Sequence, residues 1–74
     1  MSQSEIAALA ASIQRAWETG RICSLVGHGC RARVVRIGRL LAAGRLDPDR
    51  AMRLAREAEA ASFCFAPLPP EPTP

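Results

Sequence analysis

The chain is expected to fold as a small all-α domain of three helices, a helical hairpin preceded by an amphipathic helix, with a proline-rich C-terminal tail. Three observations lead there. Apolar residues recur at helical spacing over residues 6–17. The run Asp47-Pro48-Asp49 spells a helix start. Gly20 and Gly44 stand where periodic segments end. With 74 residues there is room for one core and none for a separate substrate domain, which argues against an ordinary enzyme. Aromatics are only 4% while alanine fills fourteen positions, so the core is expected to be thin. A homodimer, a host protein or a cross-link would add stability to it. No stretch of 18 apolar residues and no signal-peptide arrangement is present, so the chain is expected in the cytoplasm and not in a membrane.

The first helix is expected to begin near residues 3–5, with Ser2 and Glu5 at capping-box spacing or Ser4 as the cap. Ile6, Leu9, Ala10, Ile13, Ala16 and Trp17 form its apolar stripe, and Gly20 ends it. Residues 21–29 join the first two helices as loop, short helix or strand, which the sequence leaves open, and Gly27-His28-Gly29 reads as a flexible turn. The second helix is expected from about Cys30 to Ala43, burying Cys30, Val34, Ile37 and Leu41, with Val35 out of pattern. Asp47 caps the third helix with Pro48 at its first position. Ala51, Leu54, Ala55, Ala58, Ser62 and Phe65 share its inner side, and Asp49, Arg53 and Glu57 are spaced for ion pairs on the other. Residues 1–65 thus form one domain. Residues 66–74, with five prolines in nine, are expected to be an extended or disordered tail. Leu40, Leu41, Gly44, Leu46 and Asp47 give the hairpin a resemblance to short two-helix modules such as SHOCT-type segments, which implies a helical hairpin and no particular activity.

Chemistry-bearing residues gather in the middle of the chain. Cys23, His28, Cys30 and Cys64 make four zinc-type ligands, the number a closed tetrahedral site takes, and define a zinc-stabilised module as one alternative. Their spacing lacks the paired knuckle of such sites, so the thiols are better read as small hydrophobes in a reducing compartment. Three thiols also admit a disulfide, with one left over. Cys30 at a helix start beside His28 would suit a reactive thiolate, yet no acid partner or oxyanion arrangement accompanies it. No cofactor is expected.

Charge placement is more informative. Between Gly20 and Leu46 lie Arg21, Arg31, Arg33, Arg36, Arg39 and Arg45 with no Asp or Glu among them. Arg36 and Arg39 are expected on the solvent side of the second helix, with Arg33 and Arg31 on its flanks. Glu18, Glu57 and Glu59 are the internal partners that would neutralise this arc. Left free, Arg21, Arg31, Arg33, Arg36 and Arg39 suit an acidic protein surface or phosphates. The expected function is therefore a non-enzymatic interaction or regulatory module, an inhibitor, adaptor or accessory subunit of the size phages and mobile elements encode. Its partner would be a protein with an acidic or nucleic-acid-facing surface. The alternative is a nucleic-acid-binding or transcription-associated protein that uses the same arginines on phosphates. The acidic start of the third helix disfavours base reading there.

Overall fold

Residues 2–64 are described by a computed structural model. Phe65 and the tail over residues 66–74 lie outside the described residues. Among those described there are three helices and no strand: α1 (Ser2–Glu18), α2 (Ser24–Ala42) and α3 (Pro48–Phe63). Each packs on both of the others.

The α1 stripe does what its spacing requires. Ile6, Ala10, Ile13 and Ala16 are buried, and Leu9 and Trp17 are half-buried against the same core. Ser4 lies within the first turn and is not a cap. The end of α1 is a Schellman turn. Gly20 sits at φ 75°, its N–H donates to the Trp17 carbonyl at 3.1 Å, and the Arg21 N–H donates to the Ala16 carbonyl at 2.8 Å. The end of α2 repeats this turn: Gly44 at φ 72° donates to Leu41 at 3.0 Å, and Arg45 donates to Leu40 at 2.8 Å. At the start of α3 the Asp47 carboxylate accepts from the Asp49 and Arg50 N–H groups at 3.1 and 3.2 Å, with Pro48 in the position that needs no donor.

The segment 21–29, open between loop, short helix and strand in the sequence, takes one of those forms, and the expected turn at Gly27-His28-Gly29 is corrected. The segment is mostly helix, because α2 begins at Ser24, six residues ahead of Cys30. Nothing local announces that start. Cys23 occupies the cap position with no side-chain hydrogen bond, and the first turn carries no carboxylate. Tertiary contacts select the helix instead. Ile22 plugs into the core at 2% exposure, and the buried backbone of Gly27 lies directly beneath Trp17. His28 stacks on the Trp17 ring, centroids 4.1 Å apart. Gly27, His28 and Gly29 therefore form no turn, and the chain reverses over residues 19–23. Cys30 is the seventh residue of α2, which removes the helix-start position that a reactive thiolate there required.

Val34 and Ile37 are buried in α2, with Cys30 and Leu41 half-buried beside them as the periodicity predicts. Val35 also packs against the core, because α2 lies between two neighbours and buries a wider arc than a single stripe. From α3 only Ala51, Ala55, Ala58 and Ser62 are fully enclosed, and the Ser62 hydroxyl is satisfied by donating to the Glu59 carbonyl at 2.6 Å. Small side chains on α3 leave room for the isoleucines of its partners. On its outer side Asp49, Arg53 and Glu57 are all exposed, and the expected ion pairs do not form.

Candidate interface on the second helix

At about 100° per residue, the α2 arginines follow one another around the helix in the order Arg31, Arg39, Arg36, Arg33 over an arc of about 200°. The buried residues Val34 and Ile37 occupy the remainder. Arg33, Arg36 and Arg39 are exposed. Along the axis the arc from Arg31 to Arg39 covers eight residues, about 12 Å. None of the four arginines forms an ion pair with a carboxylate among the described residues. The three glutamates expected to neutralise them do not. The Glu18 carboxylate instead accepts from the Gln14 side-chain amide at 3.3 Å on its own helix.

Two expected members of the set are not part of the outward face. Arg31 is half-buried, and its Nε is shut off from solvent with no hydrogen-bond partner among the described residues. Arg21 belongs to the α1–α2 connection, not to α2. Its guanidinium carbon lies 5.9 Å from the Phe63 ring centroid, a cation–π contact that ties the connection to the end of α3. The outward-facing set thus reduces to Arg33, Arg36 and Arg39.

The cysteines do not converge with it. Cys23 and Cys30 are half-buried free thiols, and Cys64 is exposed and free at the end of α3. No group of three or more metal-ligating side chains comes together among the described residues, so Cys23, His28, Cys30 and Cys64 are not assembled as a set. His28 has its ring on Trp17.

Sequence periodicity did not point to a feature beside the arc. Between the first half of α1 and the second half of α2 runs an apolar groove lined by Ala7, Ala10, Val35, Gly38 and Ala42, with Arg39 on its rim. A second shallow depression on α3, by contrast, mixes Met52 and Ala60 with the charged side chains of Asp49, Arg53, Arg56 and Glu57. Among the described residues Leu25, on the first turn of α2, is the most exposed large apolar side chain, at 81%. No described helix is long and apolar enough to cross a membrane. Compared with protein-family models, curated proteins and solved structures, the chain matches none.

Proposed function

We propose that this chain is a non-enzymatic binding module of the cytoplasm that uses the outer face of α2 to hold an acidic surface on another protein. One observation carries the reading: Arg33, Arg36 and Arg39 are exposed on a helix without a single carboxylate, and no described carboxylate pairs with them. Unpaired guanidinium groups on a rigid helix are poised to form bidentate bonds to carboxylates at little cost in ordering, since the backbone that carries them is already fixed.

The apolar groove beside Arg39 favours a protein over nucleic acid as the partner. A phosphodiester backbone offers nothing to fill such a groove, and no aromatic side chain lies on the α2 arc for bases to stack on. An inhibitor, an adaptor and an accessory subunit all fit this surface, and the identity of the partner would decide among them.

The test is a comparison of the proteins captured from the native host by the wild type and by the triple variant Arg33→Glu, Arg36→Glu, Arg39→Glu. The expected outcome is loss of the main partner with unchanged helical circular dichroism. Retention of that partner overturns the proposal. Titration of a labelled DNA duplex at two ionic strengths tests the competing reading. Tight binding with a steep fall of log K against log salt would replace the acidic protein with nucleic acid.

A further inference from the structure

We infer that the α1–α2 groove receives the apolar row of an acidic amphipathic helix belonging to the partner protein, so that groove and arginine arc form one continuous docking surface. The inference rests on the binding-module reading and adds the partner's chemistry to it. Small residues, Ala7, Ala10, Gly38 and Ala42, make up half of the groove's lining, beside Ile6 and Val35. Ala7 and Ala42 are exposed, Gly38 is half-buried, and a Cβ placed on Gly38 would meet only Ile6 Cγ2, at 3.4 Å. Such a lining admits the side chains of an incoming helix between α1 and α2 without repacking the core. Along α1 the groove covers residues 3–10, about 10 Å at 1.5 Å per residue, which is the span between anchors at i and i+7 of a docked helix.

Charge selects the occupant. The groove's lining holds one charged residue, Arg39, and no carboxylate, and Arg36 lies about 60° beyond Arg39 around α2, away from the groove. A second copy of this chain laid two-fold symmetrically on the groove would set arginine against arginine, because an isologous contact meets its own surface. A helix whose apolar row is flanked by Glu or Asp meets no such repulsion and satisfies Arg39. The groove is open along its length, unlike the enclosed sites that bury most of a small ligand.

The test uses three synthetic 18-residue peptides: one with leucines at i, i+3, i+4 and i+7 flanked by glutamates, a shuffled peptide of the same composition, and the first with lysine in place of glutamate. Binding to the full chain is followed by backbone amide shifts at low salt. The ordered acidic peptide should bind at least tenfold more tightly than the shuffled one, with shifts centred on Ala7, Gly38 and Ala42. The double variant Ala7→Leu, Ala42→Leu fills the groove from exposed positions at little cost in helix propensity. It should weaken the ordered peptide tenfold or more and leave the shuffled one unchanged.

Equal binding of the ordered and shuffled acidic peptides, with shifts along α2 only, overturns the groove and leaves the binding-module reading intact. Equal binding of the lysine peptide overturns the charge assignment. Self-association with shifts at the groove assigns it to a second copy and overturns the inference. If neither acidic peptide binds, both the inference and the reading beneath it fall.

Discussion

Replacing Gly27 and Gly29 by alanine, one at a time, tests how the unannounced start of α2 is held. Both glycines lie in helical backbone, so each substitution gains the same intrinsic propensity, about 0.8–1 kcal/mol. Their surroundings differ. A Cβ on Gly29 meets nothing within 4 Å, whereas one on Gly27 would lie 2.6 Å from Trp17 Cε3, 3.1 Å from Trp17 Cβ and 3.2 Å from Ile22 Cδ1. The ring can swing, but Trp17 Cβ is fixed to the α1 backbone, so relief requires the two helices to separate. Overpacking of this kind costs about 1–3 kcal/mol. Gly29→Ala should therefore stabilise by up to about 1 kcal/mol, and Gly27→Ala should destabilise by up to about 2 kcal/mol. The propensity term cancels in the difference, leaving about 1–3 kcal/mol of pure contact, worth at least about 4 °C between the two melting temperatures in a domain this small. Urea unfolding followed by circular dichroism and by the emission of Trp17, the single tryptophan, supplies both values. In a Trp17→Ala background the Gly27→Ala penalty should fall sharply, a coupling above about 0.5 kcal/mol. If the two alanine variants agree within about 0.5 kcal/mol, or if Gly29→Ala is the less stable, residues 27–29 do not pack as a helix under Trp17 and the reasoning fails.

Gly20→Ala and Gly44→Ala, at φ 75° and 72°, should each cost about 1–2 kcal/mol although nothing lies within 4 Å of either added methyl, and Gly44→Asn should cost less. Equilibrium urea midpoints check all three. Asp47→Ala removes the acceptor of two N–H groups and should lower stability by about 0.5–2 kcal/mol, with Asp47→Asn or Asp47→Ser restoring most of it. Ile13→Ala, at a position with 0% exposure, should cost about 2–5 kcal/mol in the same assay. A loss below 1 kcal/mol would contradict the core placement.

What the sequence reveals of this fold is what is local. The Asp47 cap, Pro48 behind it, the two C-terminal glycines and the α1 stripe each act over a few residues, and each appears where its chemistry puts it. The start of α2 has no such signal. Its cap position holds a cysteine without a capping bond, and two glycines in its first turns resemble a break until Trp17 is seen resting on one of them. That contact joins residues ten apart across a reversal, beyond the reach of spacing arguments. The outward set Arg33, Arg36 and Arg39 was legible because it lies opposite the buried stripe. The roles of Arg31 and Arg21 depend on packing and on Phe63, and the groove arises only when α1 and α2 are laid together.

The central claim is that a negative partner finds the guanidinium groups of α2 unoccupied. Nitrogen-15 spectra of the arginine side chains during titration with poly-L-glutamate test it most directly. The Nε–H signals of Arg33, Arg36 and Arg39 should shift together to saturation, while those of Arg50, Arg53 and Arg56, which share α3 with Asp49, Glu57 and Glu59, move less, and the enclosed Nε of Arg31 stays nearly still. Equal movement of the α3 arginines, or no movement of the α2 set, would contradict it.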